Sequence, residues 1–236
     1  MSNEIVPLNH LVIIPDGNRR WAKNSGVPAW EGHRKGANNL DMILQVCKEK
    51  EIHFLTMWGF STENWKRDEA EVKFLMELFY QLLDSKKNDL IKYEIRFTHL
   101  GRKDRLPENL RRKIAEVEDA TAHFTEWNYQ VALDYGGRNE IIRAVNTIVA
   151  DAKAGKLPDE VSEEKFKEYL DTTLRIPDPD LILRTSGEKR LSGIMPYQSV
   201  YAELEFLDKK FPELTKEDLL TIVEDYYNRQ RRFGGG

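Results

Sequence analysis

Apolar residues fall into two patterns along the chain. Short unbroken runs alternate with longer stretches in which apolar positions recur every three or four residues. Leu11–Ile14 and Leu181–Leu183 show no polar alternation, which predicts strands covered on both faces, as in a parallel sheet. Phe54–Phe60, Tyr93–Leu100, Tyr129–Leu133 and Ala202–Phe206 read as further strands. Helical spacing lies between them. A helix opens from Arg20 onward, and Gly32–Lys50 places Ile43, Leu44 and Cys47 on one face. Asp68 reads as an N-cap, with Glu71 three residues later as its capping partner or as a functional acid. The helix that follows carries Val72, Leu75, Met76, Leu78, Phe79, Leu82 and Leu83, a wider stripe than a surface helix needs. Pro107 to about His123 and Ile141–Ala152 predict two more helices. The polar connection Asp151–Glu160 leads into a short helix, and Thr215 caps a last one built on Leu219, Ile222, Val223 and Tyr226. The alternation predicts one α/β domain over residues 1–236, with a mostly parallel central sheet flanked by helices.

Composition narrows the function classes. A chain of 236 residues suits one domain with a sizeable core. A formal net charge of −4 argues against general nucleic-acid binding. Cys47 is the only cysteine, so neither an intrachain disulfide nor a cysteine metal site can form, and its spacing makes it a small core residue. No apolar run reaches the ~20 residues of a membrane span, and the N-terminus shows no signal-peptide core. A cytoplasmic location is the expectation.

Polar chemistry collects where the predicted strands end. Pro15-Asp16-Gly17-Asn18-Arg19-Arg20-Trp21 closes the first strand, and Ser61–Arg67 follows the second. Asp134–Arg138 and Arg184–Arg190 follow two others. Open parallel sheets bind ligands beyond the carboxyl ends of their strands. Arg20, Arg67, Arg138, Arg184 and Arg190 at four such ends imply a multiply charged anion. A glycine turn before a helix supplies backbone N–H groups for a phosphate. Asp16 would repel a phosphate unless a divalent cation stood between them, so the motif points to a Mg2+-bound phosphate ester. Taken alone, Asp-Gly-Asn is also an ordinary turn. Neither a G-x-x-x-x-G-K-[ST] loop nor a G-x-G-x-x-G fingerprint is present, which disfavours the common nucleotide folds.

These blocks, taken in order, resemble the cis-prenyltransferases of the undecaprenyl diphosphate synthase family. The matching segments are His10 to His33, Leu55–Trp65, Asp134–Arg138, Asp180–Ser192, Tyr197–Leu204 and the tail Arg231–Gly234. The resemblance implies a Z-prenyl transferase that condenses isopentenyl diphosphate with an allylic diphosphate, uses Mg2+ and forms a homodimer. It assigns Asp16 to Mg2+ and to departure of the allylic diphosphate, with Glu203 as a second metal ligand. Gly17, Asn18, Arg19 and Arg20, with His33, would hold the allylic diphosphate, and Trp21 would join the substrate-binding residues. Arg184, Arg190 and Ser192 would hold that of isopentenyl diphosphate. Ser61, Asn64, Trp65 and Arg67 would line the gap, with Asn64 beside the chemistry. The stripe from Val72 to Leu83 becomes one wall of a hydrophobic tunnel, and the product allows peripheral contact with a membrane. The tail would reach an active site.

Several positions read otherwise when taken singly. His33 could bind backbone, Glu203 could be a paired surface acid, and Trp21 and Trp65 could be core. Asp178 and Asp180 fit a structural turn better than a site. Three positions depart from the family pattern: Ala29 stands for a common arginine, Lys189 for a common histidine and Asp134 for a common asparagine. Arg19, where many members have glycine, is placed to compensate for Ala29. A second function class is a non-catalytic subunit of a heteromeric prenyltransferase. Such partners lack the Asp-Gly-Asn motif, which this chain keeps. Trp127, counted back from Tyr135, falls where the family closes its tunnel and would favour a short or medium product.

Overall fold

A computed structural model describes residues 6–157 and 160–229. The tail segment Arg231–Gly236 lies outside the described residues. The sheet has six parallel strands: β1 (His10–Ile14), β2 (Phe54–Ser61), β3 (Ile95–Leu100), β4 (Trp127–Tyr135), β5 (Leu181–Thr185) and β6 (Glu203–Leu207), in the order β3-β4-β2-β1-β5-β6. The helices are α1 (Asn18–Asn24), α2 (Ala29–Ala37), α3 (Leu40–Glu49), α4 (Glu69–Lys92), α5 (Glu108–Thr121), α6 (Gly137–Lys153), α7 (Glu163–Lys167) and α8 (Lys216–Asn228). All five residues of β1 are buried. Leu11 and Ile13 join the core shared with α3, α4, α5 and α8, while Val12 and Ile14 join a second core with Ile182, Ile194 and Met195. Alternate side chains point to opposite faces, which is why this strand shows no polar alternation.

Several predicted boundaries move, among them the start of the helix expected at Ile141, which begins at Gly137. Gly32–Lys50 is two helices, because the chain turns at Asn38–Asn39 and the Asn39 amide donates to the Phe211 carbonyl at 2.7 Å. Ser61–Arg67 is not open loop: Thr62–Lys66 is a 3₁₀ helix. β4 runs through Tyr135, so Asp134 is a buried strand residue rather than part of an exit turn. Asp68 does cap α4, accepting from the N–H groups of Ala70 and Glu71. Asp180 is structural: its carboxylate accepts from the backbone N–H groups of Asn9 and His10 at 2.9 and 3.0 Å. Asp178 pairs with Lys167.

The strand order places the site. β1 leads to β2 on one side, and β5 leads to β6 on the other. The carboxyl ends of β1 and β5 therefore border a switch point, where an open α/β sheet leaves a crevice.

Buried histidines make the fold acid-sensitive. His10 donates from Nδ1 to the Pro177 carbonyl at 2.8 Å, and its Nε2 lies 2.9 Å from the Thr56 hydroxyl. His99 donates from Nε2 to the Leu133 carbonyl at 3.0 Å, and its Nδ1 is buried with no partner. Burial pulls both pKa values from 6.5 to about 4. Between those values the unfolded chain binds protons that the native rings refuse. Their contribution is complete above pH 6.5 and is lost as pH falls toward 4, by up to about 3 kcal/mol each. Glu140, whose pKa burial raises, opposes this in part. Urea midpoints should fall between pH 7 and pH 4.5, and a flat profile would contradict the assignment.

Candidate active site

Asp16 ends the first strand's exit, and its carboxylate is met from three directions. The Gly17 N–H donates to Oδ1 at 2.6 Å, Arg184 Nη2 donates to Oδ2 at 2.8 Å, and Arg20 Nη2 lies 3.4 Å from Oδ1. Burial opposes ionisation, but Arg184, the Gly17 amide and Arg20 outweigh it and hold the carboxyl below the usual range. Gly17 has φ 97°, and a Cβ there would lie 2.6 Å from Ser186 Oγ, so the turn requires glycine. Thr185 Oγ1 donates to the Asp16 carbonyl at 2.8 Å, tying β5 to this turn.

α1 begins at Asn18 and carries Arg19, Arg20 and Lys23 around the crevice. α2 packs directly on its first turn, where a Cβ on Gly32 would lie 2.1 Å from the Asn18 carbonyl oxygen. That contact sets His33 beside the crevice. Glu71, on α4, faces three cationic or basic groups: Arg67 Nη1 at 3.1 Å, His33 Nε2 at 3.7 Å and Arg19 Nε at 3.8 Å. Its side chain is committed to these partners rather than to the helix cap. Burial, reinforced by Arg67 and opposed by Glu71, lowers the His33 pKa to about 4, so the ring is neutral at pH 7. His33 Nε2, Asn18 Oδ1 and Arg184 Nε are buried without a hydrogen-bond partner.

The crevice encloses about 850 Å3, enough for charged ligands. Of the sequence-predicted residues, Asp16, Gly17, Asn18, Arg19, Arg20 and His33 line it from β1, α1 and α2. Ser61, Asn64 and Arg67 line it from the β2 exit, and Arg184 and Ser192 from β5 and its loop. Arg184 Nη1 donates to Ser192 Oγ at 2.8 Å. Four predicted residues lie elsewhere. Trp21 sits under Lys35, whose Nζ is 5.4 Å from the ring centroid. Trp65 turns toward Asp134. Arg190 is 61% exposed and pairs with Glu188, although its carbonyl accepts from Arg184. Glu203 pairs in register with Leu181, at the amino end of β5, and with Arg229 at 3.3 Å. Four residues of parallel strand, ~13 Å, separate that level from Thr185 beside Asp16. Within one chain Glu203 therefore does not join Asp16.

Lys23 joins the crevice lining as well, and its i+4 spacing from Arg19 is the sequence signal of that shared face. Arg138 is exposed and does not line the crevice. Lys189 is exposed as well. An apolar cavity of about 90 Å3 opens beside the crevice and shares Pro15, Asn18, His33 and Gly59 with it. Its deeper wall is made by Leu75, Phe79, Tyr129 and Val131.

Residues 14–234 match the family described as "Putative undecaprenyl diphosphate synthase". An isoprenyl transferase of Thermotoga maritima is 47% identical, with 96% of each chain covered. A tritrans,polycis-undecaprenyl-diphosphate synthase (geranylgeranyl-diphosphate specific) of Thermococcus kodakarensis is 46% identical over 95% of this chain and 86% of its own. Among solved structures, lavandulyl diphosphate synthase of Lavandula x intermedia, in complex with dimethylallyl diphosphate, superposes with a TM-score of 0.93 at 37% identity, covering 98% of this chain and 99% of that one. A probable undecaprenyl diphosphate synthase of Campylobacter jejuni gives 0.81 at 35% identity, covering 97% and 99%. The parallel sheet, the arginine-rich strand exits and these matches along nearly the whole chain lead to one statement: the chain belongs to the undecaprenyl diphosphate synthase family of cis-prenyltransferases.

Proposed function

We propose that the chain condenses isopentenyl diphosphate with an allylic diphosphate to give a Z-prenyl diphosphate. The observation that carries this reading is a single carboxylate, Asp16, ringed by cations at the mouth of an apolar cavity. Gly17 to Arg20 and neutral His33 take the allylic diphosphate. Arg184 and Ser192 take the isopentenyl diphosphate, with Arg190 reached from the same loop. The allylic C–O bond breaks, diphosphate departs, the isopentenyl double bond attacks the allylic carbon, and a proton is lost. Arginines around the leaving group stabilise the charge as it develops, and holding both substrates together removes the entropic cost of encounter. The name of the lavender enzyme's bound ligand and the geranylgeranyl specificity of the Thermococcus relative support an allylic diphosphate partner.

The donor set fits a metal that arrives with substrate. Among the described residues no group of three or more His, Cys, Asp or Glu could hold a metal. Among the described residues Asp16 is the only carboxylate lining the crevice, and Mg2+ takes one or two carboxylates plus substrate phosphate oxygens and water. Asp16 would hold Mg2+, which would add charge stabilisation at the leaving diphosphate.

A homodimer fits the surface. Ile142, Val145 and Val149 form an exposed apolar stripe on α6, and Val200, Tyr201 and Leu204 are exposed near the open edge at β6. No described helix is long and apolar enough to cross a membrane. A cytoplasmic enzyme that meets a membrane through its product accords with this.

The apolar cavity is read as the start of the prenyl tunnel. Phe79 lies against Gly59, where a Cβ would meet its ring at 2.9 Å. Phe79, Leu82, Tyr129 and Val131 also roof a smaller pocket bounded below by Leu83, Lys86 and Leu90. Trp127 lines neither: it stacks on His53 at 4.7 Å, beneath Lys48. The length limit read from Trp127 therefore moves to Phe79 and Tyr129.

Three outcomes follow from this reading. Purified wild type should incorporate labelled isopentenyl diphosphate in the presence of Mg2+, and Asp16→Ala should lose at least ~10²-fold in kcat. A wild type inactive alone but active with a second subunit would favour the non-catalytic reading. Ala29, at the crevice, leaves room for the family's guanidinium, and Arg19 is 62% exposed and only 3.8 Å from Glu71. Ala29→Arg should lower the allylic KM, by up to about 1.5–3 kcal/mol; an unchanged KM would show that Arg19 suffices. Phe79→Ala should lengthen products resolved by chromatography, while Trp127→Ala leaves them unchanged; the reverse pattern would restore Trp127 as the floor.

A further inference from the structure

Asp134 is fully buried, in left-handed backbone at φ 50°, near the end of β4. Its carboxylate accepts from Trp65 Nε1 at 2.8 Å and from Arg105 Nε at 2.8 Å, and it also pairs with Arg105 Nη2. The Arg105 guanidinium lies 5.5 Å from the Trp65 ring centroid, and Phe60 meets that ring edge-on at 5.2 Å. Trp65 is thus held by a hydrogen bond, a cation over its face and an aromatic edge.

Trp65 belongs to the 3₁₀ helix Thr62–Lys66. Such helices have poor hydrogen-bond geometry and little stability of their own. This one is closed at its start by reciprocal bonds between Ser61 and Asn64, including the Ser61 N–H to Asn64 Oδ1 at 3.1 Å. Ser61, Asn64 and Arg67 line the crevice, while Trp65 points the other way. An asparagine at 134 would satisfy the indole N–H without any charge. Asp134 is buried while Arg105 is partly exposed, and such a pair adds little net stability once desolvation of the carboxylate is counted. Its consequence here is orientation.

We infer that Asp134, paired with Arg105, is a positioning residue: it anchors Trp65 and so holds Ser61, Asn64 and Arg67 toward the substrates. The inference rests on the crevice being the catalytic site proposed above.

The test uses full-length Trp65→Phe, Asp134→Asn, Arg105→Gln and the double variant Asp134→Asn/Arg105→Gln. Three readouts are taken: amide hydrogen exchange over residues 61–67 without substrate, thermal midpoint, and kcat with KM for both diphosphates. Trp65→Phe keeps the ring packing but loses the N–H. It should remain folded, exchange about tenfold faster over 62–66, and lose at least about tenfold in kcat with KM changed less than about threefold. Arg105→Gln, which strands the buried Asp134 charge, should show the same pattern, whereas Asp134→Asn, alone or combined with Arg105→Gln, should keep most of kcat, because the amide still accepts from Trp65. Wild-type exchange and kcat in a folded Trp65→Phe would overturn the inference. So would a lower thermal midpoint with unchanged kcat, or a double variant no better than Arg105→Gln alone. A wild type that forms no product would instead sink the catalytic reading, while the exchange comparison would still decide whether Asp134 holds the loop.

Discussion

The ion pair between Asp16 and Arg184 is the constraint on which the site depends. It joins the exits of β1 and β5 where their onward connections part, at 2.8 Å. A buried pair of this kind contributes little net stability, since both charges lose water. What it fixes is position. Arg184 is nearly inaccessible, and with Ser192 and the Arg190 carbonyl on its other nitrogen its plane is set before any ligand arrives. Asp16 in turn is kept ionised by the cation beside it. Removing Asp16 would leave the Arg184 charge buried without its carboxylate, whereas Asp16 without Arg184 would keep the Gly17 N–H, Arg20 and some water.

The same logic extends outward. Arg19, Arg67 and His33 converge on Glu71, so a cluster that would repel itself is held by one carboxylate. A diphosphate carries more charge and more acceptors than a carboxylate. Its entry would replace Glu71 as the counter-ion, and the neutral His33 would then face an anion that favours its protonation. Preorganised cations of this sort stabilise a leaving anion without reorganising as the bond breaks.

Much of this was legible in the sequence. β1 and β5 were readable because a strand covered on both faces has no polar positions, and the site loops were readable because their charges sit immediately after those runs. The side chains that went astray share a physical cause. Trp65 and Glu203 lie in correctly placed segments, but their directions depend on partners far along the chain, Asp134 and Arg229. Parallel register, which no local pattern reveals, puts Glu203 at the wrong end of the sheet for Asp16. The break at Asn38–Asn39 was hidden for the same reason: the bond that fixes it reaches Phe211. Asp134 looked like a departure in a turn, whereas its meaning lies in Arg105, 29 positions earlier.

The polar crevice and the apolar cavity meet at Pro15, Asn18, His33 and Gly59. This border separates two requirements. Charge must be fixed and solvated on one side, and hydrocarbon must be kept from water on the other. A prenyl chain that grows at its diphosphate end advances its tail away from that border with every addition. Asn18 and His33, which line both spaces, stand on the border itself, while Asp16 and Arg184 line only the polar side. Phe79 and Tyr129 stand on the apolar side, away from Asp16, Arg184 and Glu71. On the function proposed above, product length would then respond to the packing of α4 against β2 and β4, apart from the chemistry at the ends of β1 and β5.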